Sequence, residues 1–373
     1  MASDAERAGW VRLTLTPGIG ARTARELLAR FGLPEAIFAA GAASLREVVA
    51  EPLARTLAAA PDVAVRAGID ATLAWLAADR RHALLTLADA DYPQPLLATA
   101  DPPPVLFAIG DLALLRQPAL AVVGARSATT QGMATAQAFA FALAQAGLNI
   151  VSGLALGIDS AAHRGALRAR GEGSAASTIA VVGTGVDLVY PRSNTALTEQ
   201  VRRHGLVLSE FALGTPPLAH NFPRRNRVLA GLARGVLVVE AALRSGSLIT
   251  ARLAADAGRE VFAIPGSIHS PLARGCHRLI RDGAKLVEEA RDILEELHLP
   301  HAAATAAPAG AAADAPHPQL LAALGEDPVD LDTLTARAGL DAGSVAAALL
   351  ELELAQYVER LPGNRYQRLR SGL

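Results

Sequence analysis

The chain has 373 residues, enough for two or three domains, and 51% of them are hydrophobic while only 4% are aromatic, which reads as a soluble, helix-rich globular protein. With 35 Lys and Arg against 36 Asp and Glu the formal net charge is −1, so the molecule as a whole does not attract polyanions and any nucleic-acid site must come from a local cluster. The single cysteine, Cys276, excludes an internal disulfide framework and a cysteine-based zinc cluster.

Met1 to Trp10 carries Asp4, Glu6 and Arg7 and has no apolar core of the kind a secretory signal needs. Residues 10 to about 75 have apolar positions at helical spacing. From His82 the pattern changes. His82–Leu87 reads as a short strand, and Asp101-Pro102-Pro103-Pro104 as an extended connector. Apolar, β-prone runs follow at Leu120–Gly124, Leu148–Gly153, Thr178–Gly183, Gly235–Glu240 and Glu260–Gly266, with helical stretches such as Met133–Gly147 between them. Alternating strands and helices with glycine at the strand ends predict a doubly wound parallel α/β sheet, whose ligands sit beyond the C-terminal strand ends. The charge-free run from Ser127 to Ile158 is interrupted by Gln131, Gln137, Gln145, Asn149 and glycines, so it reads as buried core rather than a membrane span. No membrane insertion is expected, and the cytoplasm is the default location. About Pro300 to Pro318 the chain is rich in alanine and proline, as a flexible linker is. Beyond it, Gln319–Leu324, Leu331–Ala338 and Ser344–Leu354 read as helices, and Tyr357–Arg360 and Arg365–Leu369 as strands around Pro362-Gly363-Asn364, the order of a winged helix.

The strand ends carry the chemistry. Gly124-Ala125-Arg126 precedes a helix start, where free amides, a close-approaching backbone and a guanidinium suit a phosphate. Ser152 and Gly153 could donate to an anion in the same way. Asp159 reads as a helix N-cap and His163 as structural. Gly183-Thr184-Gly185 is followed by the loop-like Asp187–Pro191, which argues against a dinucleotide fingerprint, and no cofactor is expected. Arg192 is either a second phosphate contact or a solvated surface residue. From Phe211 to Val239 there is no acidic residue, and Phe222, Arg224, Arg225, Asn226 and Arg227 combine a stacking face with backbone-gripping groups, ahead of a helix expected at Val228–Ala233. Ser245-Gly246-Ser247 at another helix start resembles an oxyanion nest, without the lysine of a Walker loop. No catalytic set has informative spacing, and no metal signature stands out.

Together the segments VVGARSATTQG, IVSGLALGIDSAAH, VVGTGVDLVYPRSN, LSEFALGT, NFPRRNRVLAGLA, VVEAALRSGSLITA and FAIPGSI resemble, in family order, the DprA/Smf family of DNA-processing proteins. The resemblance implies an extended Rossmann-like domain at 79–298, preceded at 1–78 by a helical SAM-like domain with a helix-hairpin-helix about Gly18-Ile19-Gly20, and followed by a linker at 299–318 and a winged-helix domain at 319–373. It implies a non-enzymatic recombination mediator in natural transformation that binds and protects incoming single-stranded DNA, helps load the RecA recombinase, and forms a homodimer. The family's DNA pocket carries over to Gly124, Arg126, Ser152, Gly153 and the Phe222–Arg227 segment, and Arg192 stands at an often basic position. The core holds Lys285 alone of the lysines, so arginine takes over the phosphate contacts. The tail's recognition-helix segment, Ser344–Leu354, has Glu351 and Glu353 and no Lys or Arg, which points to protein contact rather than duplex reading. The competing expectation is a nucleoside-monophosphate phosphoribohydrolase with Glu240 or Glu210 as acid, although its PGGxGTxxE signature is absent.

Overall fold

The structure is a computed structural model that describes residues 3–299, 316–325, 328–355 and 357–369. Most of the expected linker, residues 300–315, lies outside the described residues. Nine strands form the central sheet: β1 (His82–Thr86), β2 (Val105–Gly110), β3 (Ala119–Val123), β4 (Asn149–Ser152), β5 (Thr178–Val181), β6 (Leu206–Ser209), β7 (Gly235–Val238), β8 (Glu260–Ala263) and β9 (Lys285–Leu286). Their spatial order is β1-β2-β6-β5-β4-β3-β7-β8-β9. From β3 the chain winds outward through β4 to β6, then returns to the other side of β3 with β7. The crevice between the C-terminal ends of β3 and β7 is therefore the topological switch point.

The sheet is not parallel throughout. β2 pairs antiparallel with β6, and β1 antiparallel with β2. The segment joining β1 to β2 contains only the four-residue helix Gln94–Leu97, too short for the crossover that parallel neighbours require. Along β3 the two faces alternate: Ala119, Ala121 and Val123 join the core under the helices Asn221–Leu232 and Gly246–Asp256, while Leu120 and Val122 join the core under Thr130–Gln145 and Ile158–Gly171. Both faces are covered, which explains the near-continuous apolar strands. The alanine-rich composition permits the close packing of the last two helices, where Ala136, Ala140, Ala162 and Ala166 share one core.

One boundary differs in a way that matters for function. The helix expected from Val228 begins at Asn221 and takes in the whole basic segment. Pro223 lies in its first turn, where a missing N–H breaks no intrahelical bond.

Helices from Asp4–Leu15 to Val63–Ala78 enclose their own cluster, including Leu13, Leu27, Ile37 and Leu57. Trp10 leaves that cluster and packs with Val105, Phe107 and Ile109 of β2, and Trp75 stacks on His82 with ring centroids 4.3 Å apart. At the other end, helices Pro318–Leu324, Leu331–Ala338 and Ala342–Leu354 and strands β10 (Val329–Asp330), β11 (Val358–Leu361) and β12 (Arg365–Arg368) form a winged helix with strand order β10-β12-β11. The two-residue β10 carries too little pattern to be read from sequence. Among the described residues no helix is long and apolar enough to cross a membrane.

Replacing Trp10 with alanine should cost about 3–5 kcal/mol in chemical denaturation, because it empties the joint between the N-terminal helices and the sheet edge.

Candidate nucleic-acid interface

The strand-end loops are held by each other before any ligand is considered. After β3, the Ala125 amide donates to the Glu240 carbonyl at 2.7 Å, and the Ala125 carbonyl accepts from the Ile158 amide at 3.2 Å. After β4, an Asp159 carboxylate oxygen accepts from the Gly153 amide at 3.1 Å and the Ala155 amide at 3.4 Å. Gly157 is the N-cap of the helix Ile158–Gly171, so Asp159 folds the preceding loop from the first turn instead of capping the helix as expected. His163 Nε2 accepts from the Leu154 amide at 3.2 Å, and its Nδ1 bonds Thr178 Oγ1 at 2.6 Å. Thr178 Oγ1 donates onward to the Ile150 carbonyl, so the His163 Nδ1 carries the proton. Burial, helped by Arg225 and Arg164, pulls the imidazole down to about 3. His163 is a neutral structural strut.

Arg225 forms the floor. Its residue is only 4% exposed. It donates from Nη1 to the Val181 carbonyl, and its guanidinium fills the space above Gly153, where a Cβ would stand 2.1 Å from Nη1. Burial pulls its pKa down to about 10, against the opposite pull of Asp159, so it stays cationic at neutral pH. Burial likewise raises the Asp159 carboxyl, and Arg225 and the two amides oppose that rise.

Above this floor sits an aromatic slot. Phe222 faces Tyr190 with ring centroids 5.6 Å apart, and the Arg126 guanidinium lies 5.5 Å from the Phe222 centroid. Phe222 can lie against the β5 loop only because residue 183 is glycine: a Cβ there would stand 2.9 Å from its ring. The slot holds about 100 Å³ and is lined by Arg126, Leu156, Val182, Tyr190, Phe222 and Arg225, among others. Arg126, Tyr190, Phe222 and Arg225 also line a wider cleft of about 760 Å³ that reaches Asn226, Arg244 and Ser245–Ser247. Ser245 caps the helix Gly246–Asp256, accepting from the Ser247 amide at 3.3 Å. The cleft follows the switch point between β3 and β7, and combines exposed cations with flat apolar faces.

The structure thus gathers Gly124, Arg126, Phe222, Arg225, Asn226, Ser245, Gly246 and Ser247 around one cleft, with Gly153 on the slot wall. Other expected contacts need correction. Ser152 is fully buried and its hydroxyl donates to the Val122 carbonyl at 2.6 Å, so it is a sheet residue without access to a ligand. The Gly153 amide is already engaged by Asp159. A Cβ at Gly124 would meet the Ile158 side chain at 2.6 Å, so this glycine serves loop packing. Arg227 pairs with the buried Glu210 and donates to the Asp101 carbonyl, away from the cleft. Arg224 is exposed over the Phe211 ring, and Arg192 is exposed in the short helix Arg192–Asn194; neither lines the slot or the cleft. For Arg224 beside Arg225 the reason is helical phase. At about 100° per residue, consecutive arginines of one helix cannot share a face. Tyr190 and Arg244 carry no motif of their own and escape a sequence-based assignment. Their only signals are the Tyr-Pro step in the loop after β5 and the position of Arg244 one residue before the serine nest.

A family model for DNA recombination-mediator protein A matches residues 83–298, more than half of the chain, and a model for the DprA winged helix domain matches residues 304–364. The chain belongs to the DprA/Smf family. Protein Smf of Escherichia coli is 45% identical over 314 residues, covering 82% of each chain. DNA processing protein DprA of Streptococcus pneumoniae is 49% identical over 211 residues, covering 57% of this chain and 73% of its own. The X-ray structure of the S. pneumoniae DprA superposes with a TM-score of 0.61 at 38% identity, covering 79% of this chain and 97% of that one. A DprA structure from Helicobacter pylori, reported for its single-stranded DNA binding mode, gives a TM-score of 0.52 at 30% identity and covers 58% of this chain and 95% of that one. This chain accordingly belongs to a family of DNA-processing proteins, and the structure of its H. pylori relative is described for single-stranded DNA binding.

The depressed pKa of His163 has a defined consequence. Below an unfolded value near 6.5 the unfolded chain takes up a proton that the native imidazole refuses, so its contribution is whole above that pH and declines toward the native value of about 3. Relative to a His163→Gln variant, the native protein should lose about 2 kcal/mol between pH 7 and pH 5 in parallel denaturation series.

Proposed function

We propose that this protein is a non-catalytic single-strand binder that holds incoming DNA in the switch-point cleft, shields it, and hands it to the RecA recombinase during natural transformation. It acts as a cytoplasmic homodimer. The observation that carries this reading is the Arg126–Phe222–Tyr190 slot beside the buried Arg225. One base fits against the rings, and the adjacent guanidinium of Arg126 reaches the phosphate that precedes or follows it. Stacking tolerates any base because every base has a π-face, and phosphate contacts carry no sequence information. The reading predicts affinity with little sequence preference, as a mediator of arbitrary incoming DNA requires. The single-strand binding reported for the H. pylori relative supports it.

The phosphoribohydrolase alternative is weakened by the fate of its two candidate acids. Glu240 accepts from the Thr129 amide at 2.9 Å and from Thr129 Oγ1 at 2.6 Å, so its carboxylate occupies the helix N-terminus where a nucleotide phosphate would sit in a related fold. Glu210 is buried in its pair with Arg227. A general acid must reach the atom it protonates; Glu210 is enclosed with Arg227, and Glu240, at the edge of a neighbouring cleft, has both oxygens engaged by Thr129. Incubation with nucleoside monophosphates should release no free base.

In salt titrations of single-strand binding, Arg126→Ala and Arg244→Ala should each make the log K against log salt slope less negative by about 0.7 and weaken different sequences equally. Unchanged slopes in both variants would remove the cleft from consideration. Phe222→Ala should cost about 1–3 kcal/mol of binding. Arg227→Ala should leave affinity for single strands unchanged yet destabilise the fold by about 3–5 kcal/mol, since it strands Glu210.

A further inference from the structure

The winged helix presents a surface that the single-strand cleft does not involve. In the helix Ala342–Leu354, Val345, Ala348, Leu349 and Leu352 face the domain core. The opposite face exposes Ala346 and Ala347, and then Leu350 at 58% and Leu354 at 78%. Leu340, just before the helix, is 47% exposed. Positions 346, 350 and 354 are spaced i, i+4, i+8, and positions 347, 350 and 354 are spaced i, i+3, i+7, so they form one continuous apolar stripe. Glu351 and Glu353 rim it, both exposed. Glu351 also meets His317 Nε2 at 2.7 Å.

We propose that this stripe docks a basic amphipathic helix of another protein. Apolar anchors at i, i+3 or i+4 and i+7 are the pattern by which one helix lies against another. Flanking carboxylates add a charge requirement: the partner helix should carry Lys or Arg beside its apolar face. Two other occupants fit less well. Duplex DNA would bring phosphates against Glu351 and Glu353, and the helix has no Lys or Arg to offset them. Arg360, Arg365 and Arg368 lie on β11 and β12, and Arg337 at the end of the helix Leu331–Ala338. A second copy of the same face, related by a two-fold axis, would oppose the acidic rim with itself.

The test uses the full-length chain and labelled synthetic peptides read by fluorescence anisotropy. One peptide helix carries a leucine stripe flanked by Lys and Arg, and a second carries the same stripe flanked by Glu. The basic peptide should bind in preference to the acidic one. Leu350→Gln combined with Leu354→Gln should weaken it by about tenfold while single-strand affinity and the melting curve stay unchanged. Glu351→Lys combined with Glu353→Lys should transfer the preference to the acidic peptide. The proposal fails if neither peptide binds, if both bind alike, or if binding survives the leucine changes. It fails equally if the leucine changes abolish capture of a short DNA duplex or self-association instead, since either result names a different occupant. Loss of single-strand binding in the cleft variants would leave this result untouched, so the two readings fail separately.

Discussion

A guanidinium held beneath the strand ends organises this molecule. Arg225 lies where a side chain at position 153 would be, bonds the end of β5 at Val181, and feels Asp159 through the buried floor. Asp159 in turn gathers the amides of the β4 loop, and His163 pins the same loop to Thr178. A buried cation is expensive unless its surroundings are polar and well ordered. Here the surroundings are the loops that must be ordered for a ligand cleft to exist, so the cation and the cleft geometry depend on one another.

This arrangement divides labour among residues that look alike in the sequence. Arg126 and Arg244 line the cleft and are exposed to a ligand, Arg225 supplies a fixed positive field from below, and Arg227 neutralises Glu210. A mobile polyanion gains most from exposed cations whose partner is the ligand itself, and a buried cation contributes without having to move. The aromatic pair of Phe222 and Tyr190 adds a surface whose affinity does not depend on base identity. The helix Ala342–Leu354 of the tail carries the opposite charge, with Glu351 and Glu353 and no Lys or Arg.

Glu240 stands where a dinucleotide-binding sheet of this architecture would place a phosphate. The helix after the first parallel strand opens on a carboxylate of the chain itself, bonded to Thr129. The favourable dipole and free amides at that terminus are satisfied internally. Arg126, Phe222 and Ser245–Ser247 lie beside that terminus, around the cleft.

Much of the architecture was legible in the residues. Apolar runs flanked by glycine located β3, β4, β5, β7 and β8, because strands buried on both faces and strand-end turns leave a local signature. The acid-free stretch from Phe211 to Val239 located the basic helix that borders the cleft, because charge exclusion is also written locally. The antiparallel edge strands, the early start of the helix at Asn221, and the separate destinations of Ser152, Arg192, Arg224 and Arg227 were not legible. Each depends on what lies across the fold: a partner strand, the phase of a helix against its neighbours, a carboxylate more than a dozen residues away. Composition and motif order by themselves determined the family, since it rests on residue types in sequence. Which side chains line the cleft was decided only by tertiary packing, because burial and pairing choose among chemically identical groups.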